Sequence, residues 1–559
     1  MASGRQVQIL VYLFVAFQSG TASDAFCNGT TSQDGQCVLV TEPIDAEAEI
    51  NLEHEALVQS KLLLKERQAL NVKREPENEP ENRSPLHLLT TIDKYKGSEL
   101  LAATPTSQKQ LKVLEDLCEG PHGVDAWTEW NGVGLLCELM VPKENITAVE
   151  NIIKAAGMSV EVLIRDVAAK LQADHDNNMK QKSSGIVGRY PTLEELYSWY
   201  DTLPGMYSFV EIMSLYPTTH EGRQIKVVKI AKHQDLPIVV VECGLHPREW
   251  IALASCVWDI NNLLTNTASD IQELVENLEF RFIPSANPDG YKYTHSGERL
   301  WRKNRNPNSG ARCKGVDLNR NWDARWGQEG VSRTDKCSQV YCGTRAFSEP
   351  ETQALSQHML SEKPRVKAYI AFHSYTQLWL VPPGAGPKPD DFSRLKQVGD
   401  EAARRMGNLA GKTYQAGAPP DILYAASGGS FDWAHDCNKG ACIKYSYTPE
   451  LRPSRSRGRV GFQLPVSEIV AASKEAFEGL KYVAQVVIKE YPATKPTPSP
   501  TPAPTPAPTP APTPYPPPPP PAPVTPGPDG NCPPSLPGPP GPAGPDGEDG
   551  APGPPGPPR

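Results

Sequence analysis

The sequence predicts an α/β protein in which a mixed, twisted sheet is covered by helices on both faces and is preceded by a small α+β domain. Two observations carry this expectation. Strand-like runs rich in Val, Ile and Phe alternate with helical patterns between residues 188 and 491, the order of a sheet packed between helices. A second, shorter alternation occupies residues 91–182, while the stretches outside these two have compositions that cannot build an apolar core. At 559 residues the chain exceeds one average domain.

Residues 1–23 open with Arg5, continue through the apolar run Ile9–Phe17 and close on small residues from Ser19 to Ser23. That is the order of a secretory signal, with cleavage expected near Ala22 or Ser23. No run reaches the roughly 18 apolar residues of a membrane span, so a secreted, extracellular protein is expected. Twelve cysteines suit that destination, because disulfides persist in oxidising compartments. Residues 24–90 are acidic, poor in aromatics and end in Glu75-Pro-Glu-Asn-Glu-Pro-Glu-Asn-Arg83, which reads as a linker with one helix near Ala46–Leu70.

In the small domain, the run from Leu111 to Leu117 reads as helix, Gly134–Val141 as strand and Ala148–Ala156 as helix. The polar stretch Asp174–Ser184 reads as an exposed connector in which Lys180 and Lys182 are open to cutting. In the large domain, Ile225–Ala231, Pro237–Cys243, Phe280–Pro284, Val366–Phe372 and Cys442–Tyr447 read as strands. Pro191–Leu203 and Ile469–Ile488 carry the helical period. Residues 492–537 turn to Thr-Pro and Ala-Pro repeats, the composition of a polyproline II spacer. Residues 538–558 hold seven Gly-X-Y triplets, the period of a collagen-like triple helix.

A net charge of −9 without any Lys/Arg-rich block excludes the electrostatic footprint of a nucleic-acid binder. The chemistry concentrates elsewhere. His246-Pro-Arg-Glu249 follows the apolar strand Pro237–Cys243, His373 directly follows the predicted strand ending at Phe372, and Glu450 closely follows the one ending at Tyr447. Ligands gather outside the carboxyl ends of strands in open α/β sheets. Two imidazoles and one carboxylate there make a zinc site with a position left for water, and a further carboxylate can take that water's proton. Arg302, Asn319 and Arg320 fall in polar loop segments, where guanidinium forks suit a carboxylate and a developing oxyanion. Together these point to peptide cleavage at a free C-terminus.

At this point the chain resembles the zinc metallocarboxypeptidases of the pancreatic A/B type. The likeness rests on Gly244-Leu-His-Pro-Arg-Glu-Trp250, Asn287-Pro-Asp-Gly-Tyr291, Leu300-Trp-Arg-Lys303, Gly315-Val-Asp-Leu-Asn-Arg-Asn-Trp322, Phe372-His-Ser-Tyr375, Tyr424-Ala-Ala-Ser-Gly-Gly-Ser430 and Tyr447-Thr-Pro-Glu-Leu-Arg452, in that order. It covers the catalytic region 188–491 and, less strongly, an inhibitory pro-domain at 91–182. It implies the metallocarboxypeptidase fold, one Zn2+ per catalytic domain on His246, Glu249 and His373, and Glu450 as general base and later proton donor. Arg302 would polarise the scissile carbonyl, Asn319 and Arg320 would hold the substrate carboxylate, and Tyr424 would close over the bound residue. Arg248 would line the neighbouring subsite, and Asp317 would orient the first ligand histidine.

Phe431 stands where members that cut after Lys or Arg carry an acid, so the resemblance implies preference for aromatic or aliphatic C-terminal residues. It also implies the disulfides Cys243–Cys256 and Cys313–Cys337. Cys437 and Cys442 are near enough in sequence to pair, and Cys27–Cys37 and Cys118–Cys137 are further candidates. Relatives with a cysteine at the place of Cys342 have its partner where this chain has Gly327, which leaves Cys342 free or otherwise paired. The expected partners are peptide or protein C-termini, an activating protease near Lys180 or Lys182, and a second copy or a collagen-like matrix through the tail. The competing reading, a silent matrix-associated scaffold, requires a lost catalytic position, and every expected position is filled.

Overall fold

The computed structural model describes residues 92–493, apart from 129–131, 183–184, 412 and 455–459. The signal, the acidic linker with its helix near Ala46–Leu70, the Cys27–Cys37 pair, the Pro-rich spacer and the Gly-X-Y segment lie outside the described residues.

The first unit is a four-stranded sheet in the order β2-β3-β1-β4. Its strands are β1 (Glu99–Ala103), β2 (Asp125–Ala126), β3 (Cys137–Val141) and β4 (Glu161–Ile164). Helices α1 (Gln108–Glu119), α2 (Ile146–Ala155) and α3 (Val167–Lys180) complete it. Helix α1 starts where Ser107 accepts the Gln110 N–H, satisfying one of the amide donors a helix start leaves open. Its Leu111, Leu114 and Leu117 stripe then packs on Leu101, Leu139 and Val141 of the sheet. Helix α3 is capped by Asp166 and runs on to Lys180. This corrects the reading of Asp174–Ser184 as connector: Asp174–Lys180 belong to the helix, Lys180 is its exposed last residue, and Lys182 lies exposed just past it. Polarity misled because the outward face of a helix is as polar as a loop.

The second unit is built on an eight-stranded sheet, β11-β10-β12-β9-β7-β8-β6-β5. The strands are β5 (Val210–Leu215), β6 (Ile225–Ile230), β7 (Ile238–Cys243), β8 (Glu279–Ile283), β9 (Val366–Ser374), β10 (Leu378–Leu380), β11 (Gln415–Gly417) and β12 (Tyr445–Leu451). The four central strands β12, β9, β7 and β8 run parallel, and antiparallel pairings flank them. Because successive strand residues face opposite ways, Val239, Val241, Phe280, Phe282 and Ile370 enter one core and Val240, Ile283, Tyr369 and Ala371 the other. The first core is roofed by α4 (Leu193–Met206), α5 (Trp250–Thr265), α6 (Ser269–Asn277), α7 (Pro288–Ser296), α9 (Phe392–Ala410) and α12 (Ile469–Glu490). The second is covered by α8 (Pro350–Ser361), the short α10 (Pro419–Ile422) and α11 (Ser430–His435). Each such buried Phe or Ile contributes about 1.5–3 kcal/mol, which makes the sheet a rigid platform for whatever its strand ends hold.

Two boundaries differ from the sequence reading. Strand β9 continues to Ser374 and β12 to Leu451, so His373 and Glu450 sit within strands and not after them, paired across β9 and β12. Cys243–Cys256, Cys313–Cys337 and Cys437–Cys442 are bonded. Cys118 is a free thiol, not joined to Cys137, and Cys342 is buried and unbonded. Cys118 instead packs into the apolar cluster that contains Cys137.

Candidate active site and its metal centre

The site forms at the carboxyl ends of the parallel strands. Strand β7 ends at Cys243, and Gly244 takes a positive φ of 70° to turn the chain; a β-carbon there would meet the Pro284 carbonyl at 3.3 Å. That turn delivers His246, and Glu249 follows as the residue that opens α5. His373 approaches from β9. His246 Nδ1 lies 2.9 Å from Glu249 Oε1 and 3.1 Å from His373 Nδ1, and His373 Nδ1 is 3.0 Å from Glu249 Oε2. All three are buried.

Two imidazole nitrogens and a carboxylate turned toward one point fit zinc. Two Zn–N bonds of about 2.0–2.1 Å at the tetrahedral angle would place the nitrogens about 3.3 Å apart. The tautomer is fixed from behind: the other nitrogen of His246, Nε2, lies 3.0 Å from Asp317 Oδ1, as an imidazole that ligates through its first nitrogen requires. Asp317 also accepts Nε and Nη2 of Arg302, at 3.2 and 2.9 Å, and the Asn319 N–H. Burial works against its charge, but Arg302, His246 and Arg320 hold the carboxyl well below its usual range. One buried acid thus positions a metal ligand and an arginine together.

The cleft beside this centre is lined by His246, Glu249, Arg302, Asn319, Arg320, Tyr424, Phe431 and Glu450. Asn319 and Arg320 lie in a short 3-10 turn whose amide start is satisfied by Asp317. Gly428, at φ 77°, brings the loop bearing Tyr424 and Ser430 against that turn; a β-carbon there would sit 2.3 Å from the Arg320 carbonyl oxygen. Asn319 Oδ1 accepts the Ser430 N–H at 3.0 Å, and Arg320 reaches the Tyr424 hydroxyl at 3.4 Å. Beyond them the recess is mainly apolar, walled by Leu380, Pro419, Leu423, Ala426 and Phe431, with Thr448 as an uncharged polar residue of the lining. Asp432, next to Phe431, does not line it: both its oxygens accept the Gly384 N–H.

Arg248 is the residue placed differently from expectation. It faces the small domain, giving Nη1 to Asp125 at 3.1 and 3.3 Å and Nη2 to the Ala126 carbonyl at 3.3 Å. Its guanidinium also stacks 4.2 Å over Phe462. Trp127 and Thr128 of the small domain line the catalytic cleft itself, with Trp127 packed 5.5 Å from Phe462. Tyr375 donates its hydroxyl to buried Glu138 of β3. Sequence reasoning named none of Asp125, Trp127, Glu138, Phe462 or Tyr375 as site residues. Tyr375 carried a signal, as it ends the quoted Phe372-His-Ser-Tyr375; the others are long-range contacts that no local pattern announces.

Comparison with known proteins agrees with this geometry. Residues 196–479 match the family model of zinc carboxypeptidases, and residues 101–174 match that of the carboxypeptidase activation peptide. Carboxypeptidase A2 of Mus musculus is 34% identical over 406 residues, covering 70% of this chain and 94% of that protein. Carboxypeptidase B of Homo sapiens is 32% identical over 403 residues, 71% and 94% respectively. The crystal structure of thrombin activatable fibrinolysis inhibitor aligns with a TM-score of 0.65 at 30% identity, covering 71% of this chain and all of that one. Carboxypeptidase A from Helicoverpa armigera aligns at 0.64, with 28% identity and 71% and 99% coverage. The chain therefore belongs to the zinc carboxypeptidases of the A/B type that carry an activation peptide, with the metallocarboxypeptidase fold.

Proposed function

We propose that this carboxypeptidase is a secreted zymogen with A-like preference, removing aromatic and aliphatic C-terminal residues. The observation that carries the preference is the recess around Phe431, whose far walls present no charged group. A desolvated Lys or Arg side chain would find no partner there, which makes its burial costly. Relatives named carboxypeptidase A2 and carboxypeptidase B match this chain at similar identity, so the pocket and not overall likeness supports the choice. Exchanging Phe431→Asp should raise kcat/KM for C-terminal Arg over Phe by roughly thirtyfold or more, the worth of about 2 kcal/mol for a desolvated charge pair; a wild-type enzyme that already prefers Arg overturns the assignment.

In the proposed mechanism His246, Glu249 and His373 hold one zinc ion, which supplies Lewis-acid activation of water and carbonyl when bound. Arg320 and Asn319 bind the substrate's terminal carboxylate, the guanidinium by a paired fork, and so admit only free C-termini. Tyr424, already in reach of Arg320, covers the bound residue and excludes water. Glu450 takes a proton from the attacking water and returns it to the leaving amine. Arg302, fixed by Asp317, turns its guanidinium to the oxyanion as charge develops.

Latency is read from Trp127 and Thr128 in the cleft and from Asp125 on Arg248. Arg248 becomes free to line the neighbouring subsite only when the small domain leaves. Cutting near exposed Lys180 or Lys182 releases it. Export is supported by the N-terminal signal pattern and by three disulfides. No helix among the described residues is long and apolar enough to cross a membrane. The Gly-X-Y triplets at 538–558 support tethering to a second copy or to a collagen-like matrix. Light scattering on the secreted protein with and without residues 527–559 tests this, and a strict monomer indifferent to collagen in both forms rules it out.

A further inference from the structure

Away from the cleft, the turn between β5 and β6 brings His220 against the start of α8, where Glu349 and Glu351 flank Pro350. A ring nitrogen of His220 and one carboxylate oxygen from each glutamate lie within 4.8 Å of one another. Glu349 and Glu351 are 1% and 0% exposed, and the His220 side chain, at 24%, closes the cluster from the solvent side. None of the three lines the catalytic cleft.

Asn304 holds the two carboxylates together. Its Nδ2 donates to Glu349 Oε2 at 2.8 Å and to Glu351 Oε2 at 2.9 Å. The amide cannot be turned the other way, because its Oδ1 accepts the Val316 and Asn306 N–H groups. Glu349 is well satisfied, by Asn306, Ser348 and His220 as well. Glu351 is not: its Oε1 is fully buried and has no hydrogen-bond partner. Leaving a buried carboxylate oxygen unmatched is expensive.

We propose that His220, Glu349 and Glu351 form a second divalent-metal site of the zinc type, structural in purpose and separate from the catalytic centre. One imidazole and two carboxylates are a donor set for a borderline divalent ion. The orphaned Glu351 oxygen gains a cation to coordinate, and the partly exposed His220 edge gives the ion a way in. The ion would tie the β5–β6 turn to the start of α8, and through Asn304 to the loop that presents Arg302 two residues earlier and Asp317 next to Val316. It would therefore brace the frame of the active site without touching substrate.

The test is zinc content of the full-length protein after chelation, reloading with Zn2+ and gel filtration, read with thermal unfolding. Wild type should hold two ions per chain, and His220→Gln and Glu351→Gln one each. His246→Ala should also hold one, at the second site, which separates this proposal from the catalytic assignment. Zinc should raise the melting temperature of His246→Ala, and the double variant His246→Ala/His220→Gln should lose that shift. A wild type that binds a single ion, or a His220→Gln variant that still binds two, overturns the site. His220 lies at the surface, so its variant keeps the test open if Glu351→Gln fails to fold.

Discussion

The two sheets of this protein meet at one cleft and contribute to it in opposite senses. The eight-stranded sheet supplies site residues from strand ends and the loops beside them, fixed by burial and by partners in the same domain: Asp317 alone joins His246, Arg302 and Asn319. The four-stranded sheet sets its edge strand β2 and the residues just after it against the cleft, across a boundary where Asp125 meets Arg248, Glu138 meets Tyr375, and Trp127 and Phe462 share an apolar cluster with Leu300 and Leu171. Similar chemistry, an aspartate on an arginine, is permanent in the first case and removable in the second. Changes on the large sheet should therefore destroy activity, while changes on the small sheet should release it.

The largest effect is expected at Glu450, which faces His373 in the β9–β12 pairing. Glu450→Gln in the released enzyme should lower kcat by about 10²–10⁴-fold, the range of general acid–base contributions, while zinc content stays at the wild-type value. Retained turnover would remove Glu450 from the role of base. Asp317→Asn comes next, with roughly 10–100-fold lost in activity or catalytic zinc affinity, as for other residues that orient a metal ligand. Asparagine cannot accept from both His246 and Arg302 as the carboxylate does, so both defects should appear together.

Much of this arrangement was legible in the sequence, for identifiable reasons. His246, Glu249 and the strand before them form one local pattern, and a buried parallel strand reads as an unbroken apolar run. The exact ends of β9 and β12 were not legible, since His373 and Glu450 are polar residues that continue a strand because their pairing partners are there. Helix α3 was missed for a related reason: its outward residues Asp176 and Asn177 are as polar as a linker. The role of Asp125 was invisible, because its partner Arg248 is 123 positions away. Cys118 and Cys137 share a cluster without a bond, a distinction that spacing does not encode.

On the small sheet the sign reverses. Trp127→Ala in the full-length protein should raise its activity on peptides by roughly tenfold or more, because a buried aromatic anchor at an interface is worth about 2 kcal/mol or above. The released enzyme, lacking the residue altogether, supplies the ceiling. No change in the full-length protein would show that Trp127 merely borders the cleft.

The smallest effect is the most diagnostic of how the boundary is held. Burial raises the Asp125 carboxyl above its ordinary value near 3.8, and Arg248 only partly opposes that. Once the small domain leaves, Asp125 returns to water and to that ordinary value. A docked state that binds its proton more tightly is favoured when the proton is present. Docking is thus fully supported by Asp125 below about pH 3.8, loosens as pH rises through the raised value, and changes no further above it. The measurable quantity is the ratio of full-length to released activity, in which the enzyme's own pH profile cancels. It should climb across that window in wild type and stay flat in Asp125→Asn, which cannot ionise yet keeps an oxygen for Arg248. An equal climb in both proteins would place the pH dependence elsewhere on the boundary and leave the ionisation of Asp125 without influence on docking.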